Sequence, residues 1–266
     1  MKRYKAAMDT WETYDVAIWS VRCRQSLKLC FSSAYFSIEA DRAKRDHVFA
    51  SAYYLAYYSV LHAMWAVLYL HPEESVDNVT EITHSKIAKV FHSWFSQSNN
   101  SIIKYNSRKL AENLRFMREY YSYRMPLNYP FGGIKGNFDP DEFHHRGFVK
   151  QCIQLANLHS HLLRKAADRH KSAPAGVPYP FECERRFESD FFRINGKEHP
   201  DGVTKILDPA DRTAFREYQR LGCELMPHSL AYEHTFDEYM TYAEGRAGEP
   251  KAEVIQATQS FVYGAL

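Results

Sequence analysis

Between Asp46 and Glu73 the chain carries no Asp, Glu, Lys or Arg, over a run long enough to cross a bilayer as one helix. Two features oppose that reading. The run holds Ser51, Ser59 and His62, and its five tyrosines, Tyr53, Tyr54, Tyr57, Tyr58 and Tyr69, are spread along it instead of gathered at the ends as an interfacial belt. Hydroxyl and imidazole groups in lipid would lack hydrogen-bond partners. The run is therefore expected to be the central helix of a soluble helical bundle, apolar nearly all round because neighbours cover it on most sides. A membrane-associated helical protein is the competing class, and it would need this helix exposed to lipid.

The rest of the chain reads as helices around that element. Ile18, Val21 and Leu29 give helical periodicity from about Val16 to Ile38, and the central helix, from about Arg45 to Leu70, stops before Pro72. A shorter amphipathic helix follows over Ser85–Phe95, and the polar run Ser96–Ser101 interrupts it. Leu110, Leu114 and Met117 mark a helix from Ser107, a candidate cap, to about Tyr123. Three prolines and three glycines make Pro126–Pro140 a loop. Phe148, Cys152, Leu155, Leu158 and Leu162 stripe a helix from about Asp141 to His170.

Lys171–Pro180 has three prolines and a glycine, which places a boundary there. The expected organisation is a bundle over residues 1–172 and an appendage over 173–266. The appendage is mixed but mostly helical, with a hairpin turn at Asn195-Gly196 and a helical region from about Pro209 to Tyr242.

A net charge of +2 excludes the global field of an obligate nucleic-acid binder, so any RNA contact must be local. Basic clusters occur at Arg22/Arg24/Lys28, at Arg42/Lys44/Arg45 and at Arg164/Lys165/Arg169/Lys171, and each reads first as a solvated helix face. The five cysteines are widely spread and form no CxxC pair, which argues for a reducing compartment. The first residues, MKRYKAAMDTWETYD, lack the apolar core of a secretory signal, and the cytoplasm is the expected location. No Gly-rich phosphate loop, HExxH or GxSxG occurs. The spacing of His159 and His161 is not the i, i+4 step that brings two imidazoles together on a helix, so no metal and no cofactor are expected.

The run AYYLAYYSVLHAMWAVLYL (Ala52–Leu70), then Thr83-His84-Ser85 and Phe91, then Leu114 to Tyr123, resembles one subfamily of the HEPN domains. That subfamily pairs an Ala/Tyr-rich helix and a Thr-His step with a later Arg-x-x-Ala-Asp-Tyr segment. The resemblance covers roughly Val16 to Lys171. It implies a mainly α, HEPN-like helical bundle that dimerises. It also implies an activity: many HEPN domains are metal-independent ribonucleases of toxin–antitoxin, phage-defence and RNA-processing systems, while others are inert partners, often of nucleotidyltransferases.

In the active members an Arg and a His on a late helix face the same pair across the dimer, the His as proton shuttle and the Arg on phosphate. Here the matching segment runs Arg118, Glu119, Tyr120, Tyr121, Ser122, Tyr123, with Tyr where a catalytic His would stand. The resemblance thus implies Arg118 and Tyr123 as catalytic candidates. His62, on the polar side of its helix with Ser51 and Ser59, is either a third candidate, pointing into a dimer groove beside Arg118, or, as the commoner case, a hydrogen-bonded core histidine. Tyr120, Tyr121, Arg164 and Arg169 are the RNA-binding candidates. Three Arg/His pairs elsewhere, Arg42/His47, Arg164/His170 and Arg193/His199, are as many as chance supplies; only Arg164/His170 lies on a late helix. His84 is expected to serve structurally at a helix start.

Two functions follow. The first is a toxin–antitoxin or phage-defence component that acts on RNA as a homodimer, with an antitoxin or nucleotidyltransferase partner. The alternative is a catalytically inert HEPN module that binds a partner protein or small ligand.

Overall fold

The computed structural model describes residues 1–11, 13–80, 82–97, 101–124, 144–167 and 252–265. Among them all regular structure is helical, and the fold is mainly α: α1 Lys2–Met8, α2 Thr13–Arg45, α3 Phe49–Tyr69, α4 Val76–Thr80, α5 His84–Phe95, α6 Ser107–Tyr123, α7 His145–Ala167 and α8 Ala252–Tyr263. The Pro/Gly loop after Tyr123, the Lys171–Pro180 linker, the Asn195-Gly196 turn and the Pro209–Tyr242 region lie outside the described residues. No described helix is long and apolar enough to cross a membrane.

The chain forms two compact units, and α2, α3 and α7 each contribute a segment to both. The first comprises Met1–Leu27, Leu68–Ile82 and Ala156–Gly248. Its described core includes Tyr4, Met8, Ile18, Trp19, Leu70 and Leu163, all buried. Trp11 stacks on Trp19 with centroids 5.4 Å apart, and the Tyr4 hydroxyl donates to the Leu70 carbonyl at 2.7 Å.

Arg22 departs from the solvated face expected of its cluster. It is 3% exposed, and its guanidinium donates to the carbonyls of Tyr69 at 2.6 Å, Glu74 at 2.9 Å and His71 at 3.2 Å while lying 3.9 Å from the Trp19 ring centroid. It therefore closes the C-terminal end of α3, where carbonyls lack intrahelical partners.

The second unit comprises Lys28–Val67, Thr83–Leu155 and Glu249–Leu266. Phe31, Leu61, Met64, Ile87, Phe91 and Phe148 are almost fully buried in it. Phe91 meets Phe95 at 5.0 Å and Phe148 at 5.8 Å between centroids, and α5 packs on α6. The turn from α2 into α3 is fixed by backbone. Val48 N–H donates to the Ala43 carbonyl at 2.8 Å and His47 N–H to the Lys44 carbonyl at 3.0 Å. His47 takes φ 60°, the left-handed conformation that ends many helices. At the other end of the chain, Arg146 and Lys150 of α7 lie 5.1 Å and 5.4 Å from the Phe261 ring of α8.

The starts of α5 and α6 place the residues discussed below. Thr83 caps α5 with φ −79° and ψ 154°, its side chain accepting from Lys86 N–H at 3.4 Å. The cap of α6 is Asn106, one residue before the expected Ser107, and it accepts from Lys109 N–H at 3.0 Å. Thr83→Ala is expected to cost about 1 kcal/mol; a lowered urea midpoint with unchanged slope would show it.

Candidate functional site

Tyr57 is the residue on which the second unit's chemistry converges. As part of the central helix it is 3% exposed, so its ring is fixed and both its face and its hydroxyl have defined neighbours. The Arg118 guanidinium of α6 lies over the ring, 4.7 Å from its centroid. The hydroxyl stands 3.3 Å from Nδ1 of His84, the first residue of α5. One buried tyrosine thus gathers an arginine and a histidine from two other helices.

The neighbouring rings complete the cluster. Tyr58 meets His84 edge-on at 5.5 Å and 89° and meets His62 at 5.9 Å. His62 Nδ1 is 2.8 Å from Ser32 Oγ, with Phe36 beside its ring at 5.3 Å.

A groove of about 280 Å³ opens between α3, α5 and α6, lined by Tyr57, His84, Ser85, Lys89, Arg108 and Arg115 among others. Four cations stand in or next to it, Lys89, Arg108, Arg115 and Arg118, against the carboxylates Glu112 and Glu119. Arg108 pairs with Glu112 at 2.8 Å and Arg115 with Glu119 at 2.7 Å; Arg118 reaches Glu119 at 3.4 Å. Arg115 Nη1 is also 3.5 Å from Ser85 Oγ. The buried Nε of Arg118 has no hydrogen-bond partner among the described residues, so this guanidinium retains donor capacity. The balance favours an anion, and charge-assisted donors of this kind hold phosphate well.

Burial first, then the charges of Arg118 and Arg115, hold the His84 imidazole below its ordinary pKa. Burial, with His84 second, pulls His62 down to about 4. Both rings are therefore neutral at physiological pH. Burial raises the Tyr57 phenol, and Arg118 and Arg115 oppose that rise.

The sequence-derived candidates are distributed as follows. Arg118 is in the cluster, and His62 joins it through Tyr58. Ser59, expected to share a polar side with His62, is fully buried and donates back to the Ala56 carbonyl at 2.8 Å. Tyr123 is 79% exposed at the end of α6, and Tyr120 stacks on Phe116 with centroids 6.3 Å apart. Tyr121 is 1% exposed and stacked on Tyr53 at 5.0 Å; its ring is inaccessible to a polynucleotide. Arg164 lies on the part of α7 that belongs to the first unit. Arg169 and His170 lie outside the described residues, as do Arg193 and His199. No group of three or more metal-ligating side chains occurs among the described residues.

His84, Tyr57 and Arg115 were not among the site candidates. The Thr-His step was visible in the sequence, but its convergence on Tyr57 and the α6 arginines depends on how α5 packs. Comparison with protein-family models, with curated proteins and with solved structures returned no match.

Proposed function

We propose that this chain is a HEPN-like module that takes the phosphodiester backbone of RNA into the groove between α5 and α6. The reading rests on the HEPN resemblance together with one observation, the gathering of His84 and Arg118 on Tyr57 beside the cationic groove. Arg115, Arg118 and His84 hold a phosphoryl oxygen and stabilise the charge that develops as the 2′ oxygen, its proton passing to water, attacks phosphorus and the P–O5′ bond breaks; the 5′ oxygen leaves as a hydroxyl by taking a proton from water, without a metal. Exposed rings at Tyr54, Phe116 and Tyr123 offer stacking faces to unpaired bases. The assembly this reading expects is a homodimer.

A second reading, an inert module that only binds, is favoured by the ion pairs already on the groove arginines. Glu119 meets both Arg115 and Arg118. A ligand must displace it.

The deciding assay is binding and cleavage of total tRNA in EDTA by the wild type, His84→Ala, Arg118→Ala and Arg164→Ala. Loss of one aimed donor is expected to slow cleavage about 10²- to 10³-fold in the first two variants, with Arg164→Ala near wild type. Binding without cleavage would select the inert module. Absence of both in a folded protein would reject the RNA reading.

A further inference from the structure

We infer that Tyr57 is a positioning residue: its hydroxyl donates to His84 Nδ1 and holds the proton of the neutral imidazole on Nε2, so that an N–H and not a lone pair is left for the ligand in the groove. Three observations carry this.

The Tyr57 side chain is buried, and among the described residues His84 Nδ1 is the hydrogen-bond partner of its hydroxyl, at 3.3 Å. If the bond ran the other way, from an Nδ1–H to the phenol oxygen, the phenolic hydrogen would be left without an acceptor inside the protein. A buried O–H without an acceptor is the more expensive arrangement.

The Arg118 guanidinium stands over the same ring at 4.7 Å. A cation on the face of a phenol draws electron density from its oxygen, which makes the O–H a stronger donor and the oxygen a weaker acceptor. The imidazole nitrogen is the better acceptor of the two.

The groups facing His84 also disfavour its cation. Burial and the charges of Arg118 and Arg115 on α6 do so, with Glu119 engaged by both arginines; Tyr57, Tyr58 and His62 on α3 face the ring as well. The neutral ring is therefore the form that meets a ligand at physiological pH, and its tautomer decides its role. With Nε2 protonated, His84 joins Arg115 and Arg118 as a third donor to an anionic oxygen. It is not the general base of a cleavage. That use rests on the phosphodiester reading above; the proton's position does not.

The test is made on the isotopically labelled full chain, with the His84 resonances assigned through His84→Gln. Long-range ¹H–¹⁵N correlations in the wild type are expected to show Nε2 protonated and Nδ1 bare. In Tyr57→Phe, which keeps the ring under Arg118 but removes the donor, the His84 pKa is expected to rise and the Nδ1–H tautomer to gain population. A wild-type Nδ1–H tautomer, or a His84 pKa that falls or stays the same in Tyr57→Phe, would overturn the inference. Should Tyr57→Phe misfold, the wild-type tautomer decides alone. No RNA is present in these measurements, so failure of the RNA reading leaves their outcome intact, and a wrong tautomer leaves RNA binding intact.

Discussion

Lowering the pH from about 6.5 to about 4 is expected to destabilise the folded protein steeply, before most carboxylates protonate. Three histidines set this window. Burial first, with His84 second, brings His62 to about 4. Burial, then the neighbouring N-terminal ammonium, brings His159 to about 4. His71, 3% exposed, is brought to about 3 by burial and by His159, Arg3 and Arg22.

The folded values all lie below the unfolded value of 6.5. The unfolded chain therefore takes up a proton at each site as the pH falls through 6.5, while the folded chain does not until about 4 or below. The stability these neutral rings preserve is whole above 6.5 and is lost progressively beneath it. Each contributes a slope of about 1.4 kcal/mol per pH unit in the middle of the window. Three together approach ~4 kcal/mol per unit, and solvent screening at the half-buried His62 and His159 reduces their shares. Against a total stability of roughly 5–15 kcal/mol, that unfolds the chain. Urea midpoints measured from neutral pH down to about 5 would show the fall, and His71→Asn should flatten it by about one proton. Midpoints that stay level over this range would mean the rings are hydrated in solution.

The same histidines show where sequence reading succeeds and where it stops. Helix α6, Ser107–Tyr123, was legible to within one residue at its cap, because Leu114 and Met117 lie on a buried stripe between charged positions. The central helix was legible from its lack of charge, and its partners on nearly every side are consistent with Val60, Ala63, Met64, Ala66, Val67 and Leu68 all being fully buried. Helix α2 extends past the expected Ile38 to Arg45; its last turns carry charge, but no Pro or Gly stops them.

Short α1 and the C-terminal α8 were not anticipated. The second left a signal, since Val254, Thr258, Phe261 and Val262 recur at helical spacing and the last three are buried. What no periodicity reveals is a contact between distant segments. His84 sits 27 residues from Tyr57, and Arg118 reaches it from another helix. An arginine pattern on α6 looks the same in sequence whether its guanidinium faces water or a tyrosine ring.

Arg22 makes that point quantitative. In sequence it belongs to a basic cluster with Arg24 and Lys28; in the fold its fork meets three carbonyls at the end of α3. Burying a guanidinium carries a desolvation cost, and burial does pull its pKa down from 12.5 to about 10. Yet it remains charged at neutral pH, because donors in a planar fork satisfy three acceptors at once and the ring of Trp19 covers one face. Arg22→Leu relieves the desolvation but removes the one donor group that meets all three carbonyls, and the second effect is the larger. The expected loss is about 3–5 kcal/mol, seen as a Tm lower by roughly 6–20 °C. Arg22→Lys keeps the charge, cannot reach three carbonyls in one plane, and should fall between the two. As a control, Arg108→Leu removes an exposed pair with Glu112, worth about 0.3–0.5 kcal/mol. Equal Tm values for Arg22→Leu and Arg108→Leu would mean that water enters to satisfy the α3 carbonyls, and that the guanidinium is an occupant of that end of the helix and not its closure.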